Sequence, residues 1–188
     1  CLGGKMYARS GIAHKSYFSF QDEDVRKQCF LTEYTITGTT TRRWWEPEYK
    51  GFSGKGEGMW PSTSPGCVKF YDRTKSCYDT GGSKANYIAM RYSDVLLNYA
   101  EALAEKNGAA NAGKIIEILH PLRERAGMPD IDFDREYNTS AEYPFRNLDK
   151  YIQAVRRERR VEKALEGRRV FDIMRWAAAE ELIIGNRA

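Results

Sequence analysis

The stretch YIQAVRRERRVEKALEGRRVFDIMRW, residues 151–176, decides the fold because it places charged residues where a helix would bury them. An apolar stripe that includes Ile152 and Val155 has helical spacing, and the same phase continues onto Glu158 and Glu162. A buried carboxylate is costly unless it is paired and hydrogen-bonded. The stretch therefore predicts a helix whose inner face carries ion pairs.

Arginine is the fitting partner for these acids, because its planar guanidinium meets a carboxylate at two points. We expect one helix over about Leu148–Glu166 and another from about Arg169, with Trp176 in the core. Asp172 lies four residues after Arg168 and three before Arg175, so each pair can meet on one helical face. The sequence predicts a structural Arg/Glu network with these members: Glu158, Glu162, Glu166, Arg159, Arg168, Arg169, Asp172 and Arg175.

Two other functions of this stretch are less consistent with its composition. A nucleic-acid site needs a basic face without acids, but glutamates interrupt the arginines, and the whole chain carries a net charge of only +4. A catalytic acid and base could be Glu158 and Glu162, but nearby arginines would keep both ionised. We therefore expect neither a nucleic-acid partner nor enzymatic activity.

Cysteines and histidines give no sign of a metal site or a cofactor. The four cysteines lack zinc spacing, and His14 and His120 are isolated, so we expect neither metal nor cofactor. Cys67 and Cys77 flank a predicted hairpin, and they either pair in an oxidising compartment or remain free thiols. The sequence contains no apolar run of membrane-spanning length.

A helical hairpin is predicted upstream of the arginine-rich stretch. One helix is expected from the cap Ser93 to Asn107, and a second over about Ala110–Ala126, where Pro121 should cause a kink. Two antiparallel helices with small residues where they cross resemble one tetratricopeptide-like hairpin. A single hairpin of this kind needs neighbouring repeats to bury its apolar faces. The residues expected to face inward are Leu96, Tyr99, Ala100, Leu103, Ala104, Ile115, Ile118, Leu119 and Leu122.

The first half of the chain is rich in glycine, threonine and aromatic residues. Strands are predicted at Cys29–Thr37 and Gly66–Asp72, with a long loop from Arg42 between them. Exposed aromatic rings can stack on sugars, and neighbouring polar groups can bind hydroxyls. The candidate ligand-binding residues are Trp44, Trp45, Tyr49, Phe52, Trp60, Arg43 and Glu46.

Two alternatives to ligand binding remain open for this loop. In the first, Trp44 and Trp45 anchor the loop to the helical body, which would favour a helical interaction scaffold. Alternatively, Glu46, Glu48 and Glu57 could supply the paired acids of a glycoside hydrolase.

Three segments resemble the SusD/RagB family. RERRVEKALEGRRVFDIMRWAAAEEL (157–182) is similar to the family's arginine-rich signature, NYIAMRYSDVLLNYAEALAEKNG (86–108) to its R-Y…Y-A-E-A segment, and LRERAGMPD (122–130) to its R-x-R-A-G turn. The family's chains are longer, so we expect a carboxy-side piece of a larger protein. Two regions follow: a loop- and strand-rich segment over 1–84 and a helical region over 85–188.

The resemblance implies a mainly α fold and a non-catalytic, surface-exposed lipoprotein of Bacteroidetes. Such proteins bind oligosaccharides, or peptides in the RagB branch, and deliver them to a TonB-dependent SusC-like transporter in the outer membrane. Contact with the membrane is then expected only through a lipid anchor on a missing amino-terminal part. Cys1 is not expected to be the cysteine that carries this lipid. The resemblance also implies that the motif's arginines and glutamates are structural.

Overall fold

The computed structural model describes residues 20–31, 33–35, 41–43, 66–67, 69, 88–140 and 148–182. These residues are mainly helical, which confirms the predicted fold class. The chain divides into two compact units, one formed by 1–18 and 27–87 and the other by 19–26 and 88–188.

A 3-10 helix spans Val25–Cys29, and the α-helices belong to the second unit. None of the helices described is both long and apolar enough to cross a membrane. Their bounds are α1 Tyr92–Arg125, α2 Phe133–Ser140, α3 Lys150–Glu162, α4 Arg169–Arg175 and α5 Ala179–Leu182.

Helix α1 contains both helices of the predicted hairpin. Non-helical dihedral angles at Asn107 (φ −174°, ψ 91°) separate its two halves, and the Asn107 side chain accepts a hydrogen bond from the backbone N–H of Ala110 (3.0 Å). The expected cap at Ser93 is wrong: the helix is capped at Arg91, whose backbone N–H donates to the Asp94 carboxylate (2.8 Å). The helix continues through Pro121, so the kink expected there is wrong, whereas the break at Asn107 lies where the first helix was predicted to end.

The hydrophobic core lies between the halves of α1 and helices α2 and α3. Tyr99 was expected to face inward but is about half exposed, because Leu97, three residues before Ala100, takes the inward position. Leu96 and Leu103 are partly buried against the core. The buried core residues are Leu97, Ala100, Ala104, Ile115, Ile118, Leu119, Leu122, Ile131, Phe133, Ala154 and Val155.

Gly108 permits the close approach of α1 and α3. A Cβ atom at this position would lie 2.7 Å from Cγ of Tyr151, closer than carbon atoms can pack. The break at Asn107 and this glycine together allow α3 to pack closely against the two halves of α1.

Helix α2 lies between the second and third predicted helices, where the sequence predicted no helix. The Asp132 carboxylate accepts hydrogen bonds from the backbone N–H groups of Asp134 (3.0 Å) and Arg135 (3.1 Å), as an N-cap does. Phe133 is buried, and its ring lies 4.7 Å from that of Tyr151. The segment is therefore part of the core.

Helix α3 is shorter than predicted. Asp149 caps its start by accepting from the backbone N–H of Tyr151 (2.8 Å), and Lys163 caps its end. The chain then turns through Leu165 (φ 60°) and Gly167 (φ 73°), which are left-handed conformations that stop a helix. Glu166 therefore lies in this turn and not on α3.

The strands belong to the first unit, and each is short. Strand β1 (Phe30–Leu31) pairs antiparallel with β4 (Gly66–Cys67), and β2 (Glu33–Thr35) pairs antiparallel with β3 (Thr41–Arg43). Each predicted strand thus contains strand residues, and most of its remaining residues lie outside those that the structure describes. The predicted loop is also corrected at its start, because the backbone of residues 42–43 belongs to β3.

Candidate functional site: a buried arginine and carboxylate network

The inner face of α3 is charged along its second half. Glu158 is 1% exposed and Glu162 is 2% exposed, so both carboxylates are removed from water. Burial of this kind requires partners, and several segments supply them. The other buried polar residues of α3 and its carboxy-terminal cap are Gln153, Arg156, Arg157, Arg159 and Lys163.

Glu158 binds two arginines that are distant in sequence. One Oε atom accepts from Arg123 at the end of α1 (2.7 Å), and the other accepts from Arg26 (2.6 Å). Arg26 is also held through two nitrogens by Asp24 (2.8 Å each). The guanidinium of Arg123 also donates to the backbone oxygen of Pro129 (2.6 Å), so it joins α1 to both α3 and the turn after α1.

Glu136 on α2 is the second deeply buried acid of this group. It accepts from Arg123 (3.1 Å), from Gln21 (3.1 Å) and from Arg157. Arg123 therefore lies between the carboxylates of Glu136 and Glu158, and one buried cation links three helices.

Glu162 accepts from three arginines. Arg125 (2.6 Å) and Arg91 (2.9 Å) bind one oxygen, and Arg26 (3.1 Å) binds the other. Burial alone would raise the pKa of Glu162, but the hydrogen bond and charge of Arg125, with the charges of Arg26 and Arg91, outweigh it and lower the pKa. Glu162 is thus held ionised.

A lysine completes the network at the turn after α3. Lys163 binds Asp94 (2.8 Å) and Glu166 (2.6 Å), and Arg91 also binds Glu166 (2.6 Å). Burial would raise the pKa of Asp94, but its hydrogen bonds from Lys163 and from the backbone of Arg91 lower it. These pairs fix the turn to the first turn of α1.

Asp172 on α4 forms a separate group. Arg159 donates to both of its oxygens through Nε (2.9 and 3.0 Å), and Arg175 donates to one (3.0 Å). Arg159 also donates to Asn98 on α1 (2.8 Å). Helix α4 is therefore attached to α1 and α3 through one buried carboxylate.

Trp176 lies beside this group and is half-buried, so the expectation of a core position is wrong. Its indole N–H donates to Glu101 (2.5 Å), which Arg175 also binds (2.6 Å). Arg156 lies 4.3 Å from the ring centroid and Arg175 lies 4.8 Å from it, which are distances typical of cation–π contacts. The ring therefore packs against charged groups.

The partners within the network differ from those that the sequence indicated. Glu158, Glu162 and Glu166 were expected to bind arginines of the same stretch, but the partners shown for them come mainly from other segments. Arg168 was expected to meet Asp172, but its guanidinium donates to the backbone oxygen of Ala89. The pair between Asp172 and Arg175 is present, and Arg169 lies 5.3 Å from the ring of Trp176.

Several members of the network escaped prediction. Among those that lie within the quoted motifs are Arg91 in MRYSD, Glu101 in YAEA and Arg123 in LRERAG. A charged residue on an otherwise apolar helix was therefore a usable signal. Arg26 and Glu136 carry no comparable signal, because their neighbours are polar.

Most of the predicted ligand-binding residues lie outside the part of the chain that the structure describes. Trp44, Trp45, Glu46, Tyr49, Phe52 and Trp60 lie outside it, as do Glu48 and Glu57, while Arg43 is described only as a backbone residue of β3. In the part of the chain that is described, no group of three or more histidine, cysteine, aspartate or glutamate side chains could hold a metal ion.

Comparison with known proteins identifies the family of this chain. The model of the SusD family, SusD_RagB, matches residues 13–187. The chain belongs to the SusD family. The resemblance of its three motifs is thereby confirmed, and the match extends over the first half of the chain as well.

Two SusD relatives are similar to parts of this chain. The SusD-like protein P25 of Formosa agariphila is 32% identical over 100 residues, which are 52% of this chain and 16% of that protein. The crystal structure of a SusD superfamily protein from Parabacteroides distasonis matches with a TM-score of 0.53 and 24% identity, over 88% of this chain and 31% of the other. The second likeness concerns the fold alone, and this chain spans less than a third of either relative.

Proposed function

We propose that this chain is part of a non-catalytic, surface-exposed outer-membrane lipoprotein that binds oligosaccharide and delivers it to a SusC-like TonB-dependent transporter. Membership of the SusD family, matched over residues 13–187, is the observation that carries this proposal. A binding protein of this kind needs a rigid body and a separate surface for its ligand.

The Arg/Glu network supports this division of roles. Glu158 and Glu162 each bind at least two guanidinium groups, which occupy their oxygens and keep Glu162 ionised. A general acid needs a proton near neutral pH, and a sugar-binding carboxylate needs free lone pairs. We propose that the network is structural.

The ligand site then belongs to the aromatic loop. The loop sequence combines tryptophans, which can stack on pyranose rings, with glycines, which let a ring approach the backbone. Arg43, Glu46 and Lys50 supply hydrogen-bonding groups. Stacking of one ring contributes roughly 1–3 kcal/mol by analogy with nucleobases, so a single ring gives weak binding and several rings give useful affinity.

Calorimetric titration of the protein with malto-, xylo- and cello-oligosaccharides and with a hexapeptide tests the proposal. We expect an oligosaccharide to bind and to be recovered uncleaved. Of Trp44→Ala, Trp45→Ala and Trp60→Ala, at least one should lower affinity about tenfold, or roughly 1.4 kcal/mol, while the fold is retained.

Tyr92→Ala is the matched control, because Tyr92 is an exposed aromatic residue on α1, away from the loop in sequence. It should bind as wild type does. Binding of the hexapeptide alone would favour a RagB-like peptide carrier, and cleavage of a glycan would show a hydrolase. If all three tryptophan variants bind normally, or all three unfold, the loop is scaffold.

A further inference from the structure

Glu162 connects two points of the chain that flank residues 27–87 of the strand-bearing unit. The chain leaves the helical unit after Arg26 and returns to it at Ile88, so residues 27–87 form an insertion into that unit. Arg26 is the last helical-unit residue before the insertion, and Arg91 lies three residues after Ile88. Glu162 binds Arg26 through one oxygen (3.1 Å) and Arg91 through the other (2.9 Å).

The neighbouring carboxylates are shown with one of these two arginines each. Glu158 binds Arg26, and Glu166 binds Arg91, whereas Glu162 binds both. Each arginine is also fixed in direction, because Asp24 holds two nitrogens of Arg26 and the backbone oxygen of Glu162 accepts from Arg91 (3.2 Å). The carboxylate thus joins two oriented cations that would otherwise repel each other.

The position of Glu162 makes the connection stiff. Its side chain is 2% exposed, and Arg125 from the end of α1 binds the same oxygen as Arg91. Ion pairs removed from water are screened little by salt. Replacing Glu162 removes one buried carboxylate partner from each of these arginines, so both flanking segments lose a contact with the same side chain.

We propose that Glu162 is a positioning residue that holds both ends of the insertion 27–87 together and thereby supports ligand binding by the loop within it. This inference rests on the proposed function for its second half only. The clamp itself is a property of residues 20–26, residues 88–94 and α3.

Hydrogen exchange followed by mass spectrometry on Glu162→Gln tests the clamp. Exchange should rise about tenfold in both 20–26 and 88–94, equivalent to roughly 1.4 kcal/mol of lost protection, while the centre of α3 and the second half of α1 keep their rates. Asp172→Asn is the matched control: Asp172 is a buried acid with two arginine partners, Arg159 and Arg175, neither of which flanks the insertion. Asp172→Asn should not raise the exchange rates of 20–26 and 88–94 relative to those of the other helical segments.

A uniform rise over the whole helical unit, or a rise in only one flanking segment, overturns the clamp. If Glu162→Gln does not fold, Arg91→Lys provides the same test, because lysine keeps the charge but lacks the guanidinium fork. The clamp predicts faster exchange in 20–26 as well, although the substitution is at position 91, and a change confined to 88–94 overturns it.

Oligosaccharide titration of the same variants tests the second half of the proposal. Glu162→Gln should lower affinity about tenfold, and Asp172→Asn should not. Equal affinity for Glu162→Gln and wild type overturns the link to binding. If wild type binds no oligosaccharide, the proposed function fails, whereas the exchange rates still decide the clamp.

Discussion

Arg123 donates to Glu158 over 2.7 Å, and their side chains are 2% and 1% exposed. The two residues belong to different helices, so the pair joins α1 to α3 in a place that water does not reach. Buried pairs of this kind add little net stability when compared with apolar residues, but the loss of one partner is expensive. The helical unit should therefore tolerate paired changes in its network better than single ones.

Arg159→Ala should destabilise the protein more than Arg175→Ala, although both arginines bind Asp172. The side chain of Arg159 is 10% exposed and that of Arg175 is 42% exposed, so solvent screens the second pair. We expect losses of roughly 3–5 kcal/mol for Arg159→Ala and roughly 1–2 kcal/mol for Arg175→Ala in urea unfolding. The reverse order would show that Arg175 carries the attachment of α4.

Gly108→Ala should lower the melting temperature. The added Cβ would meet the Tyr151 side chain and force α3 away from α1, at a cost of roughly 1–3 kcal/mol. Gly113→Ala is the control on the same helix, because nothing lies within 4 Å of a Cβ at that position. Alanine is the better helix former, so this variant should gain up to about 1 kcal/mol. Equal effects of the two substitutions would refute the close contact.

The stability lost on replacing Glu162 should depend on pH. The pKa of Glu162 is lowered in the folded protein, because its three arginines outweigh the effect of burial. Its ionic contribution is therefore complete above the unfolded pKa of about 4.3 and is lost as pH falls through the lower folded pKa.

Urea unfolding of wild type and Glu162→Gln between pH 3 and pH 7 measures this dependence. The difference in unfolding free energy should be largest above about pH 5 and should shrink towards acid. Glu117→Gln is the control, because Glu117 is exposed and pairs with the exposed Lys114, so its effect should stay within roughly 0.5 kcal/mol. A difference for Glu162→Gln that is constant over this range would contradict the lowered pKa.

Periodicity in the sequence was sufficient to predict the buried face of α3. The helical phase of Ile152 and Val155 predicts that Glu158 and Glu162 point inward, and both are buried. It does not reveal their partners, since local spacing compares residues three or four apart while Arg26 and Glu158 are 132 residues apart. Such pairs depend on how distant segments pack.

The end of one helix and the existence of another were mispredicted for local reasons. Helix α3 ends at Glu162 because Leu165 adopts a left-handed conformation that an apolar residue rarely takes, so the pattern indicated one more turn. Helix α2 was missed because polar residues surround Phe133, although Asp132 is a good N-cap. The candidate ligand loop could be proposed from composition alone, and its residues lie outside those described.

A double-mutant cycle on Arg123 and Glu158, followed by equilibrium urea unfolding, tests the structural role of the network most directly. Arg123→Ala and Glu158→Ala should each lower the unfolding free energy by roughly 3–5 kcal/mol, since each leaves a buried charge without one of its partners. The double variant should lose clearly less than the sum of the two, because both charges of the pair are then absent. Wild-type stability in both single variants, together with loss of oligosaccharide binding, would contradict a structural role and place the ligand on the network itself.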